Sequence, residues 1–236
     1  MIERAGGACV AAKLQLACFE RLGAPGWEAL GRVAAAARAA GLLVIADGKR
    51  ADVPVSAAAY AQALFGATPT PWGEVAGLDA DAATLNPLLG GDALEPLLEA
   101  AVAADAGVFI LVRTSNPGAA DLLDLDAGGR PVHEHLARLV DAQADRLAGS
   151  GELSGAGAVV GATEPRHLRR LRSLMSRAIF LVPGVGAQGG QATDLAPALG
   201  TSPASVIVTA SRSIAGAEDP AEAAQALRDE LWKLSQ

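Results

Sequence analysis

The sequence predicts an α/β fold of the (β/α)8-barrel type with seven visible βα units, and three observations carry that prediction. Short apolar runs alternate with longer alanine- and leucine-rich stretches of helical spacing along the whole chain. The runs are continuously apolar rather than alternating, as parallel strands covered on both faces are. The 236 residues suit one such domain, since α/β barrels use about 250 residues as a single unit.

Taken in order, the strand-like runs are ACVAAKLQL (8–16), LLVIADGK (42–49), DAATLNP (81–87), GVFILVRT (107–114), GAVVGAT (157–163), IFLVPGVG (179–186) and SVIVTASR (205–212). Between them lie GWEALGRVAAAARAAG, DALEPLLEAAVAADAG and PVHEHLARLVDAQADRLAGSG, each with helical spacing and a terminal glycine stop. A closed barrel needs eight strands, and so short a segment precedes the first run that the first strand is expected to be missing. Residues 67–81 and 119–130 read as loops, and residues 1–236 as a single barrel domain.

Composition narrows the function. A hydrophobic content of 51% excludes disorder, and a net charge of -7 argues against a nucleic-acid partner, whose phosphates need clustered Lys and Arg. No apolar run approaches the roughly 20 residues of a membrane helix, and the first residues lack the pattern of a signal peptide. A cytoplasmic chain is expected, with Cys9 and Cys18 as buried, reduced thiols.

Only three of the 19 basic residues are lysine: Lys13, Lys49 and Lys233. Arginine serves nearly everywhere else, so a persisting lysine marks a place where a compact ammonium able to give up a proton is wanted. Lys233 lies in the polar tail. Lys13 and Lys49 lie in strand-like runs, and Asp47 stands two residues before Lys49, on the same face of a strand. At a barrel strand's C-terminal end that face is where active sites are built. Asp52 follows, with a helix N-cap before Pro54 as its local role. Two lysines and two aspartates together form an array of alternating charge, which can stabilise negative charge developing on a substrate.

A second cluster joins the glycine-rich PGVGAQGG (183–190) to Arg212, a combination suited to phosphate after the last strands of a barrel. A third, Thr114, Ser115 and Asn116, reads as a turn that could hydrogen-bond a polar ring. His133 and His135 face different ways on one helix, and His167 reads as exposed, so no metal site is expected from them. Asp121, Asp124 and Asp126 lack the pattern of a calcium loop and read as solvated. No cofactor motif is present.

At DGKRADVPVS the chain resembles the orotidine 5′-phosphate decarboxylase family in its longer bacterial class. KLQLACFE, TLNPLLGGDALEP, LVRTSNPG, VVGATEP and VPGVGAQGG extend the resemblance over most of the sequence. It implies decarboxylation of orotidine 5′-phosphate to UMP in pyrimidine synthesis, without a cofactor. By the same resemblance Lys13, Asp47 and Lys49 are three members of a charge tetrad. Asp52 is the fourth, supplied across a homodimer interface. Ser56 and Ser115 contact the ligand, Gln188 bridges phosphate and base, and Arg212 holds the phosphate. The family's first strand, whose terminal aspartate holds the ribose, has no counterpart here. Two other readings remain. One is a related sugar-phosphate decarboxylase or hexulose-phosphate synthase, which needs a metal-binding acid not found in VPVSAAAYAQ. The other is a non-catalytic binder of phosphate ligands.

Overall fold

The computed structural model describes residues 1–162, 165–185, 189–200 and 202–234, and the chain divides into two compact units, residues 2–108 and 109–236.

In the first unit, α1 (Ile2–Ala5) and a 3-10 turn precede β1 (Ala11–Gln15), so the residues ahead of β1 are helical. Then come α2 (Leu16–Glu20), α3 (Ala24–Ala39), β2 (Leu43–Arg50), α4 (Pro54–Phe65), β3 (Ala67–Thr70), β4 (Gly73–Ala76), β5 (Ala82–Leu85) and α5 (Gly91–Ala103). Strands β1, β2 and β5 pair in that order and in parallel, with Lys13 beside Ile45 and Gln15 beside Asp47. Helix α3 buries Gly26, Leu30, Ala34 and Ala37, a stripe at helical spacing. It ends at Gly41, where φ is +77° and the Gly41 N–H donates to Arg38 O at 2.9 Å.

Two local expectations change here. Residues 67–76, expected as loop, form the antiparallel hairpin β3–β4, closed by a 2.6 Å bond from Thr70 Oγ1 to Gly73 O. Every residue of β4 is exposed, so no apolar alternation announces it, and Pro69 and Pro71 argue against strand in the sequence. The N-cap of α4 is Val53, not Asp52; Asp52 sits one residue earlier and its Oδ1 accepts the Val53 N–H at 2.8 Å.

The second unit holds most of β6 (Gly107–Arg113), then α6 (Ala120–Leu123), α7 (Val132–Asp141), β7 (Ser154–Val160), α8 (Pro165–Leu174), β8 (Ala178–Val182), β9 (Val206–Val208), α9 (Arg212–Ala215) and α10 (Pro220–Leu234). Its strands follow the order β6, β7, β8, β9, and β8 pairs in parallel with both neighbours. Part of the expected loop at 119–130 is thus helical. Leu168, Leu171, Met175, Phe180 and Leu195 are fully buried. Arg172 is buried among them with its guanidinium 3.8 Å from the Phe180 ring centroid. It donates to Ala198 O, Met175 O, Ala178 O and Ser205 O, tying α8 to the segments around β8 and β9. Burial lowers its pKa to about 10.

All seven apolar runs are strands within a residue or a few of their expected bounds, alternating with helices, and the fold class is the parallel α/β type of the barrel enzymes. Both cysteines are exposed, against expectation: Cys9 closes the 3-10 turn ahead of β1 and Cys18 lies in the short helix α2, so neither is inside a strand. No described helix is long and apolar enough to cross a membrane.

Candidate active site

The chemistry-bearing residues of the first unit cluster at the end of β2, where the pairing with β5 breaks register. Ala46 stands opposite Ala83 and Arg50 opposite Leu85, so β2 carries extra residues there and bulges over Asp47–Lys49. Lys49 itself adopts φ +50°, a left-handed conformation rare for a residue with a side chain. Strand alternation alone puts Asp47 and Lys49 on one face. The bulge and the left-handed turn then bring the Lys49 amine back onto Asp47. Gly48 between them packs closely on its neighbours: a Cβ there would lie 2.6 Å from Leu16 Cδ1, so the Leu16 side chain would have to shift.

The Asp47 carboxylate is the hub. Its Oδ1 receives Lys49 Nζ at 2.6 Å and its Oδ2 receives Lys13 Nζ. The Asp47 side chain is 6% exposed, whereas that of Lys49 is 42% exposed, so Lys49 is the member open to a ligand. Burial raises the Asp47 pKa, but the charges and hydrogen bonds of Lys13 and Lys49 outweigh it and hold the carboxyl below its usual range. Lys13, Asp47 and Lys49 are therefore assembled as expected.

Two further residues complete the cluster, and sequence reasoning did not single them out. Thr84, 1% exposed on β5, donates its hydroxyl to Asp47 Oδ1 at 2.9 Å and accepts the Lys49 backbone N–H at 2.9 Å. Gln15 Nε2 donates to the Asp47 backbone oxygen at 3.1 Å. Thr84 falls inside the TLNPLLGG block and Gln15 two residues after Lys13, and that spacing was the available signal. Beside them Arg50 pairs with Glu20 and lies 5.3 Å over the Tyr60 ring. Asp52 is half-buried and meets no cation among the described residues. Ser56 is the third residue of α4, half-buried and without a hydrogen-bond partner among the described residues.

In the second unit Ser115 follows β6 and is half-buried. A Cβ on Gly161 would meet Ser115 Cα at 2.7 Å, so glycine lets that segment lie against β7. Thr114 Oγ1 bonds Asn116 Oδ1 at 2.7 Å, closing the expected turn. Gln188 lies outside the described residues. Its flanks are fixed by a parallel bridge between Val185 and Gly190, with Gly190 N–H donating to Gly184 O at 3.0 Å. Arg212 is exposed at the start of α9.

His133 is buried and His135 exposed on α7, as their spacing implies, and Asp121 and Asp126 are exposed as expected, whereas His167 and Asp124 depart from expectation. His133 is 3% exposed and its ring meets that of His167 edge-on at 4.8 Å, because α7 packs on α8 and joins residues far apart in sequence. Asp124, far from solvated, takes Arg113 Nε at 2.8 Å and Nη2 at 3.0 Å. Ligand-capable atoms of Asp124, His133 and His167 lie within 4.8 Å of one another, the geometry of a candidate metal site. Both Asp124 oxygens bond the Arg113 guanidinium, however, Oδ1 also lying 3.2 Å from His133 Nδ1, and the Arg113 charge opposes a second cation there. His133 Nδ1 faces Leu123 O at 2.8 Å, so it carries the proton and donates. His167 Nε2 is buried without a hydrogen-bond partner among the described residues; burial first, then the charge of His133, lowers the His167 pKa.

Comparison with known proteins identifies the family. The sequence profile described as "Orotidine 5'-phosphate decarboxylase / HUMPS family" matches residues 1–227. The chain is 41% identical over 237 residues to the orotidine 5′-phosphate decarboxylase of Rhodopirellula baltica, covering 99% of this chain and 76% of that one. It is 44% identical over 229 residues to that of Deinococcus radiodurans, covering 95% and 79%. The structure of Leishmania donovani OMP decarboxylase superposes with a TM-score of 0.79 at 35% identity, covering 99% of this chain and 84% of that one. With the lysine–aspartate–lysine cluster in place at the end of β2, this chain belongs to the orotidine 5′-phosphate decarboxylase / HUMPS family.

Proposed function

We propose that this chain decarboxylates orotidine 5′-phosphate to UMP in pyrimidine synthesis, with Lys49 as the group that stabilises and protonates the reacting carbon. The observation that carries the reading is the Lys49 ammonium 2.6 Å from a buried Asp47 that also holds Lys13. When the bond from C6 to the carboxylate breaks, carbon dioxide leaves neutral and the electron pair stays on C6, in the plane of the ring. Ring π orbitals cannot delocalise it. A fixed cation stabilises it electrostatically instead, and Lys49 then gives its proton to C6 and is reprotonated from solvent. The reaction thus needs neither an imine nor a metal from the protein.

One such charge pair at about 4 Å contributes roughly 4 kcal/mol at an effective dielectric near 20. The remainder comes from binding energy at the distant phosphate, the part assigned to Gln188 and Arg212. Ser115 reads the pyrimidine, and Ser56 contacts the ligand from the segment of Asp52. Asp52 completes the tetrad in a second copy, a reading supported by its meeting no cation among the described residues of its own chain. The working unit is a cytoplasmic homodimer in which residues 1–236 act as one domain.

Release of carbon dioxide from orotidine 5′-phosphate by the purified chain, with and without EDTA, tests the reading. Turnover that survives chelation is expected. Turnover lost with EDTA favours the metal-dependent sugar-phosphate enzymes, and binding of 6-azauridine monophosphate without turnover favours a non-catalytic binder.

A further inference from the structure

We infer that Thr84 is a positioning residue for the proton donor: its one hydroxyl ties the Asp47 carboxylate to the Lys49 backbone and so sets where the Lys49 amine stands. The inference rests on the reading of Lys49 just given.

The need for such a tie follows from the bulge. Between Ala46 and Arg50 the ladder from β2 to β5 is interrupted, so the Lys49 N–H has lost the β5 carbonyl that regular pairing would offer it. Thr84 lies on β5 between Ala83 and Leu85, opposite the interruption, and its side chain supplies the missing acceptor at 2.9 Å. Lys49 is held at φ +50°, a conformation that persists only where its surroundings over-determine it. A hydroxyl has one proton to give, and Thr84 gives it to Asp47 Oδ1 at 2.9 Å, the oxygen that also holds Lys49 Nζ. Lys49 is thereby pinned at two points by one side chain, at its backbone directly and at its amine through Asp47.

Thr84 is 1% exposed, so it reaches substrate only through these two neighbours. That burial separates a positioning role from a binding one. Loss of the hydroxyl loosens the Lys49 amine without removing a ligand contact, so the chemical step suffers and ground-state affinity does not. Serine keeps the hydroxyl, whereas valine keeps the shape and removes it.

The test compares the purified wild-type chain with Thr84→Val and Thr84→Ser in steady-state decarboxylation, with 6-azauridine monophosphate affinity measured alongside. In Thr84→Val, kcat is expected to fall about thirtyfold or more, while KM and 6-azauridine monophosphate affinity stay within about threefold. Thr84→Ser recovers most of kcat. If the valine variant does not fold, Thr84→Cys, similar in size and a poor donor, is read in the same way. A kcat close to wild type in the hydroxyl-free variant, a defect confined to KM, or a serine variant as impaired as valine would each overturn the inference. A wild-type chain with no turnover overturns instead the reading of Lys49 on which it rests.

Discussion

The ammonium of Lys49 turns back 2.6 Å onto the carboxylate of Asp47, two residues earlier on the same strand. A regular strand would send both side chains out in parallel. Here a bulge and a left-handed Lys49 convert that parallel pair into a contact, leaving the Lys49 side chain 42% exposed beside an Asp47 side chain that is 6% exposed. A fixed anion behind an accessible cation prevents the cation from collapsing elsewhere, and it costs no reorganisation when charge develops in front of it.

Asp47→Asn keeps the shape and removes the charge that holds both amines. Turnover of orotidine 5′-phosphate is expected to fall about a thousandfold, the equivalent of one charge pair of roughly 4 kcal/mol. Circular dichroism should show the fold retained. A variant with wild-type turnover would remove Asp47 from the mechanism.

Asp52 meets no cation among the described residues, and its proposed place is the site of a second copy. Asp52→Asn and Lys49→Ala are each expected to be nearly inactive alone. Mixed and allowed to exchange subunits, they should regain about a quarter of wild-type activity, because half the dimers then pair one intact Lys49 with one intact Asp52. No recovery despite demonstrated exchange would place Asp52 outside the partner's site.

Gly161 lets the segment carrying Ser115 lie against β7. In Gly161→Ala the new Cβ would fall 2.7 Å from Ser115 Cα and 2.8 Å from Ser115 N, so backbone rather than a side-chain tip has to move. Displacing one ligand hydrogen bond raises KM about tenfold while kcat changes little. Unchanged KM would argue that Ser115 does not read the ring.

His167 gives a pH dependence to stability. Burial, then the charge of His133, lowers its folded pKa below the ordinary 6.5, with Asp124 opposing and Arg113 and Arg166 adding to the shift. The unfolded chain therefore binds this proton first as pH falls. The contribution of neutral His167 is complete above about 6.5 and is lost between there and the lower folded value, with a slope of at most about 1.4 kcal/mol per pH unit. Thermal melts between pH 8 and pH 5 should show His167→Gln with a flatter decline than wild type. Equal slopes would assign the decline to other groups.

The sequence exposed this site unevenly, for physical reasons. Lys13, Asp47 and Lys49 were legible because lysine is scarce in an arginine-rich chain and strand spacing aligns i and i+2. The seven strands were legible because continuous apolarity is what a doubly covered parallel strand requires. Thr84 was not, since its role depends on a bulge that the sequence of β2 does not announce. The hairpin at 67–76 was hidden by its exposure and its prolines. The Asp124–His133–His167 cluster depends on α7 meeting α8, a long-range contact that local spacing of histidines cannot reveal.

The most direct measurement of the central claim is release of labelled carbon dioxide from carboxyl-labelled orotidine 5′-phosphate by the wild-type chain and by Lys49→Ala, assayed side by side. Rapid release by the wild type is expected, with a loss of at least about a thousandfold in the variant, which still binds 6-azauridine monophosphate. Equal release by the two proteins would contradict it.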